Sequence, residues 1–270
     1  MKKGKKLIAG FFLCIMLIAL SPLSLLTVKG AAYPYTIDSY DVSITVNEDN
    51  TYDITETLDV CFNEKRHGIF RTIPLKNEVV RADGTTSKNR ARVTNINTNV
   101  NCTKSNEKGN LKLRLGDEDN YITGNQQYVI SYTYDIGADT SKDYDEFYYN
   151  LIGTEWDAPV KYSSFHITFP KKIEATDMGF THGYEGADGS GEVEYEVKGK
   201  TISGSYSTLL DPGEGLTVRV ELPEGYYVRK LVSLSALDMI QLGVPILFLV
   251  IVLFVWFIIA RDDKAVDVIT

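Results

Sequence analysis

Residues 42–62 read VSITVNEDNTYDITETLDVCF, and this stretch decides the fold. Val42, Ile44 and Val46 alternate with polar residues, a polar NEDN sequence follows, and a second alternating series begins at Tyr52. Successive side chains of a β-strand point to opposite faces of a sheet, so a period of two directs one set of side chains into the core. The stretch therefore predicts a β-hairpin with one buried face.

The same period of two recurs along the chain after the hairpin. It is found at residues 96–100, 111–115, 128–134, 165–169, 193–197, 202–206 and 216–222. Polar, turn-rich stretches at 81–92 and 183–192 are predicted to be loops, and no amphipathic helix of convincing length lies between residues 33 and 228. About ten short strands separated by turns favour an all-β fold, a β-sandwich of immunoglobulin-like architecture.

Apolar segments mark both ends of the sequence. Four lysines within the first six residues precede an apolar run over 7–20, which is typical of a secretory signal peptide. An uncleaved anchor is the alternative, because leucines and a valine extend the apolar run. Near the other end, Leu242–Ala260 carries no charge and is long enough to cross the hydrocarbon core of a membrane as a helix.

These signals divide the sequence into five segments. We predict a signal peptide at 1–32, an extracytoplasmic domain at 33–228, a juxtamembrane connector at 229–239, a transmembrane helix at 240–260 and a short cytoplasmic tail at 261–270. Basic residues flank the helix about equally on its two sides, so the signal peptide decides the orientation. We expect a single-pass protein of the cell membrane with its domain outside.

The charge of the chain restricts its partners. Residues 33–260 contain 21 Lys and Arg against 33 Asp and Glu, a formal charge of −12. Such a surface repels the phosphates of nucleic acid. We therefore expect no nucleic-acid partner.

Few side chains suit catalysis or metal binding. Of the three histidines only His67, in KRHGIFRTIP, has neighbours that suggest a site, and none is spaced as in a metal site. We predict no metal and no cofactor, although a weak calcium site at DEDN (117–120) or DYDE (143–146) stays open. Cys61 and Cys102 could form a disulfide in an exported protein or remain isolated thiols.

The stretch TEWDAP, residues 154–159, holds an indole between two carboxylates. It could be a filled corner of the sandwich, a recognition surface or the edge of an active site. Trp156 could fill the core or a ligand pocket, and Glu155 could pair with Arg71 to hold two loops together. A hydrolase of envelope polysaccharides would need two facing carboxylates, for which Glu146 and Glu155 are the best pair.

Three stretches together resemble a known family. They are HGIFRTIP (67–74), EFYYNLIGTEWDAPV (146–160) and PGEGLTVRVELPEGY (212–226). In this order, between a signal peptide and an apolar helix, they are similar to the predicted membrane proteins filed as domain of unknown function 2207 (DUF2207). The resemblance implies an exported β-rich domain at the membrane of a bacterium or archaeon, with no established activity. Members usually continue into further membrane spans, so it also implies a short member or an incomplete sequence.

The sequence thus predicts a non-catalytic binding or assembly module at the cell envelope, with an envelope polysaccharide hydrolase as the alternative. Its expected partners are the membrane, which it spans, and another membrane or envelope protein. The candidate binding residues are His67, Arg71, Glu155 and Trp156. In HGIFR, Gly68 is expected to adopt a backbone conformation closed to other residues, in a loop after the first hairpin.

Overall fold

A computed structural model describes residues 33–80, 86–137, 143–173, 178–187, 189, 192–228 and 236–266. The predicted signal peptide and most of the connector lie outside these residues. The described strands are β1 (Tyr35–Val46), β2 (Thr51–Arg66), β3 (Ile69–Pro74), β4 (Lys76–Val80), β5 (Thr86–Arg90), β6 (Arg92–Thr98), β7 (Cys102–Glu107), β8 (Asn110–Leu115), β9 (Ile122–Asp135), β10 (Tyr144–Ile152), β11 (Ser163–Thr168), β12 (Met178–Gly183), β13 (Val193–Lys198), β14 (Thr201–Tyr206) and β15 (Gly215–Pro223).

The predicted hairpin is the centre of the fold. Strands β1 and β2 pair antiparallel across the turn, with Val46 opposite Tyr52 and Val42 opposite Glu56. Alternate side chains of both strands are buried, as the period of two requires. The prediction for residues 42–62 is confirmed.

The hairpin lies inside a sheet of seven strands. The strand order of this sheet is β13-β14-β11-β1-β2-β9-β6, and β1 and β11 run parallel. Three smaller sheets accompany it, with the orders β10-β15-β12, β3-β8-β7 and β4-β5. None of these sheets is closed, so each has edge strands.

Aromatic side chains join the seven-stranded sheet to the sheet β10-β15-β12. The ring of Tyr52 meets that of Phe147 at a centroid distance of 5.0 Å, and Phe165 meets Phe180 at 5.2 Å. These ring contacts pack the two sheets against each other. The β-rich fold is confirmed, and the β-sandwich of immunoglobulin-like architecture stays a prediction.

The sequence pattern does not predict some of the strands. The stretch 81–92 was expected to be a loop, but residues 86–90 form β5 and Arg92 begins β6. The segment after the first hairpin was also expected to be a loop, whereas Ile69–Pro74 forms β3. Among the described strands, β4 and β5 pair only with each other, and their charged side chains Glu78, Lys88 and Arg90 are exposed, so these residues give no alternating apolar pattern.

The last described element is a helix, α1 (Ala236–Val266), which contains Pro245. Among the described residues, no helix meets the length and apolarity required of a membrane span. The transmembrane helix predicted at 240–260 is therefore not confirmed.

Candidate functional site

A buried ion pair lies at the centre of the domain. Glu56 is on β2 and Arg71 on β3, and their side chains are 0% and 3% exposed. The guanidinium binds both carboxylate oxygens, with Nε 2.8 Å from Oε2 and Nη2 2.7 Å from Oε1. Bidentate geometry of this kind makes the strongest charge-assisted hydrogen bonds.

Tyrosines complete the shell of the Glu56 carboxylate. Tyr40 donates its hydroxyl to Oε2 at 2.8 Å, and Tyr132 donates to Oε1 at 2.6 Å. The hydroxyl of Tyr132 is in turn 2.9 Å from that of Tyr149 on β10. The carboxylate therefore accepts four hydrogen bonds, and the network connects β1, β2, β3, β9 and β10.

The pair is ionised despite its burial. Burial raises the pKa of Glu56, but the charge of Arg71 and the hydrogen bonds from Arg71, Tyr132 and Tyr40 outweigh it, so the pKa lies below its ordinary value. Burial likewise opposes the charge of Arg71, but Glu56 outweighs this effect, and the pKa of the guanidinium is raised. Both groups therefore carry their charges in the core at neutral pH.

The structure corrects the predicted partner of Arg71. The guanidinium pairs with Glu56, while Glu155 lies exposed one residue before Trp156. The sequence does carry a signal for Glu56, because it stands two residues from Ile54 and two from Leu58 on the buried face. A carboxylate in that register must find a cation or lose its charge.

Trp156 belongs to the core. Its side chain is 4% exposed and meets the ring of Tyr40 edge-on at 5.7 Å. The guanidinium carbon of Arg71 lies 5.8 Å from the indole centroid. TEWDAP is therefore a filled corner at Trp156, whereas its neighbour Glu155 faces outward.

His67 lies at a sharp corner between β2 and β3. Its Nδ1 is 3.2 Å from the carbonyl oxygens of Asp117 and Asn120, and its ring is 4.0 Å from that of Tyr121. Gly68 follows with φ of 128°, and an added Cβ would lie 1.9 Å from the carbonyl oxygen of Leu115. The prediction for Gly68 is confirmed, and His67 contacts the loop after β8.

An open groove borders the ion pair. Its volume is about 700 Å³, within the range of ligand sites. The lining side chains are polar, charged and aromatic, and they include Asn50, Arg71, Pro74, Lys76, Glu78, Lys88, Tyr134, Ile136, Glu146, Tyr148, Asn150, Glu155, Thr181, His182, Tyr184, Glu185 and Thr217. The structure thus brings Arg71 and Glu155 to one groove, while His67 and Trp156 are not among its lining residues.

The two carboxylates proposed for hydrolysis both line this groove. Glu146 is engaged in an ion pair with Arg219 on the neighbouring strand β15, and its side chain is 8% exposed. Glu155 is exposed. Of these two carboxylates, Glu146 is therefore neutralised and Glu155 is exposed.

The cysteines carry no bond to each other. Cys61 on β2 and Cys102 on β7 are free thiols in strands of different sheets, so the disulfide left open by the sequence does not form in this structure. Burial raises the pKa of Cys102, which makes it a weak nucleophile. Among the described residues, no group of three or more His, Cys, Asp or Glu could hold a metal ion.

The fold and the groove define a β-rich domain protein with a C-terminal helix. The chain belongs to the DUF2207 family of predicted membrane proteins, because the model of that family's N-terminal domain matches residues 36–222. The resemblance of the three sequence stretches to this family is confirmed. The family description names no activity.

Solved structures show only a distant likeness. An M1 zinc metallopeptidase from Deinococcus radiodurans is 13% identical, with a TM-score of 0.36 over 68% of this chain and 42% of that one. Yeast LTA4 hydrolase in complex with bestatin is 6% identical, with a TM-score of 0.40 over 68% of this chain and 28% of that one. This chain thus spans less than half of their length, and nothing about activity follows. No curated protein matches the chain.

Proposed function

We propose that this protein is a membrane-tethered, non-catalytic binding module of the cell envelope and that the groove is its binding site. The observation that carries the proposal is an open groove of about 700 Å³. Strand β10 forms part of its lining, and Tyr149 connects β10 to the buried pair of Glu56 and Arg71. A preorganised surface of this kind lowers the entropy lost on binding.

The membrane anchor in this proposal is the apolar part of α1. Large apolar side chains from Val244 to Ile259 are about half exposed or more, and no charge interrupts the sequence from Leu242 to Ala260. An exposed apolar surface of this extent requires a partner, and lipid is the partner that fits a helix apolar on every face. Membership of a family of predicted membrane proteins supports the same reading.

The domain would be held close to the bilayer. Its last described residues are tied to the body, because the Tyr227 amide donates to Asp145 at 2.8 Å and the Val228 amide to the Glu48 carbonyl at 2.6 Å. Only residues 229–235 separate Val228 from α1, and seven residues span at most about 25 Å. A partner reached at this distance is another membrane protein or an envelope component.

Site-directed photocross-linking tests the proposal. A photoreactive residue replaces Tyr184, which lines the groove, or Tyr195, which is 47% exposed on β13 and not among the lining residues. In cells producing the full chain, we expect a discrete adduct from position 184 and none from position 195. Equal labelling at both positions would contradict a specific groove.

A second candidate function is hydrolysis of an envelope polysaccharide, favoured by the presence of Glu146 and Glu155 in one groove. Two carboxylates on either side of a bound sugar are the usual apparatus of a glycosidase. The full chain is incubated with wall fragments, alone and as Glu155→Gln. Turnover that Glu155→Gln abolishes without loss of folding would replace the binding module with the enzyme.

A further inference from the structure

Residues 146–150 of β10 form a sheet edge that borders the groove. We infer that this edge accepts an extended polypeptide segment of a partner protein as an added β-strand. The inference rests on the proposed function, since it names the ligand class of the same groove. It is carried by backbone pairing, by the contrast with other edges and by the charge of the groove.

Among the strands that the structure describes, β10 pairs with β15. It lies at the end of the sheet β10-β15-β12, and its register runs from Tyr144 opposite Pro223 to Ile152 opposite Leu216. Along 146–150, no described residue pairs with the backbone on the side away from β15. In an antiparallel pair, alternate residues direct their N–H and C=O groups away from the partner. These groups form a row that an extended chain satisfies.

The two edges of the seven-stranded sheet carry features that discourage pairing. At one edge of the large sheet, β6 has a register shift between Thr94 and Asn97, with Asn95 at a φ of 55°. At the other edge, β13 is six residues long and exposes Glu194 and Glu196. Bulges and charges are the means by which proteins protect sheet edges.

Along residues 146–150, the edge of β10 lacks this protection, and its own register shift lies beyond them, between Asn150 and Ile152. Residues 146–150 read EFYYN, and the single carboxylate, Glu146, is neutralised by Arg219. Aromatic residues favour cross-strand packing with an added strand. An unprotected edge that lies in a groove indicates a place for a partner strand.

The groove admits a single segment more readily than a second copy of the domain. Its lining joins β10 to Pro74 at the end of β3, to Lys76 at the start of β4 and to Tyr184 after β12. Five residues of strand, 146–150, extend about 17 Å. A second copy of the domain would have to place its own β10, together with the residues around it, in this space. A single extended segment places only its own backbone and side chains there.

Charge specifies one side chain of the segment. Glu155 and Glu185 line the groove, and neither has an ion-pair partner among the residues that the structure describes. Among the described residues, Lys76 is the only lysine or arginine of the lining without an ion-pair partner. Arg71 pairs with Glu56, and Lys88 pairs with Glu78 at 3.0 Å. The balance is negative, so a lysine or arginine in the added strand is the complementary residue.

Peptide display against the full chain in lipid nanodiscs tests the inference. Short random linear peptides are selected for binding, and a selected peptide is resynthesised with N-methyl groups on either its odd or its even residues. An added strand pairs through the N–H groups of alternate residues only. We expect one methylated form to bind at least about tenfold more weakly and the other to bind nearly as well as the parent. We also expect basic peptides to weaken severalfold on the double variant Glu155→Gln/Glu185→Gln.

Each other outcome counts against strand addition. Equal effects of the two methylation patterns would overturn it and leave groove binding intact, provided that the peptide still cross-links to position 184. Failure to select any peptide would also overturn it, while the cross-link in cells tests the binding module independently. Concentration-dependent dimerisation that a selected peptide blocks would assign the edge to a second copy of the chain.

Discussion

At the scale of single residues, Glu56 holds the buried network together, because its carboxylate accepts hydrogen bonds from Arg71, Tyr40 and Tyr132. Its position in the alternating series from Tyr52 to Phe62 predicts burial, and the structure confirms that register. Its partner could not be predicted, because Arg71 lies on a strand of another sheet and the contact depends on how the sheets pack. Glu155, which the sequence suggested as the partner of Arg71, is exposed instead.

Loss of Arg71 is expected to destabilise the domain strongly. Arg71→Ala leaves the Glu56 carboxylate buried without a cation, which costs about 3–5 kcal/mol of unfolding free energy. Arg114→Ala is the matched control, because Arg114 pairs with the exposed Glu118 and such surface pairs contribute about 0–1 kcal/mol. Urea unfolding of both variants measures the difference. Similar losses would show that the buried pair contributes no more than a surface pair.

The stability of the domain is expected to fall in acid because of Glu56. Its pKa in the folded chain is below the ordinary value of 4.5, so the folded state favours the ionised form. The resulting stability is fully present above pH 4.5 and is lost as the pH falls through the lower pKa of the folded state.

The comparison variant is Glu56→Gln/Arg71→Met, which removes both buried charges. Urea unfolding of both proteins is measured from about pH 7 down to about pH 3. We expect the unfolding free energy of the natural chain to decrease more steeply below pH 4.5 than that of the double variant. Parallel curves would mean that Glu56 does not contribute to acid denaturation.

At the scale of elements, the alternation of apolar residues predicts the strands that have one buried face. Strands β1, β2, β8, β9, β11, β14 and β15 follow from it. Strand β10 does not, because its outward residues include Tyr144 and Tyr148 and its buried residues include Phe147 and Tyr149. Aromatic residues on both faces hide a period of two. The groove depends on β10 and on contacts between residues far apart in the sequence. The sequence therefore suggested only three of its lining residues as candidates, Arg71, Glu146 and Glu155.

The corner after β10 separates scaffold from surface at neighbouring positions. Trp156→Ala removes a buried indole that packs on Tyr40, and we expect a loss of about 3–5 kcal/mol in unfolding free energy. Glu155→Ala changes an exposed side chain and should stay within about 0.5 kcal/mol. Thermal and urea unfolding of the two variants test this. A stable Trp156→Ala variant would return the indole to the candidate binding residues.

At the scale of the whole molecule, the described chain begins and leaves the domain at opposite ends. Pro34 accepts hydrogen bonds from the amides of Asn63 and Glu64, whereas Val228 donates to Glu48 beside the turn between β1 and β2. The twelve residues of β1 separate these ends by about 40 Å. A domain anchored only through α1 would therefore present its Glu48 end to the membrane and its Glu64 end away from it.

Quenching by spin-labelled lipids measures this orientation. Glu48 and Glu64 are both exposed, so each can be replaced by cysteine in a chain whose Cys61 and Cys102 are serine, and labelled with a fluorophore. In nanodiscs of the full chain, we expect lipid spin labels to quench position 48 strongly and position 64 weakly. A variant without residues 236–266 is the control and should not be quenched at either position. Equal quenching of both positions would mean that the domain lies along the bilayer. A second anchor at the N-terminal end would require this orientation. The predicted signal peptide would then be an uncleaved anchor.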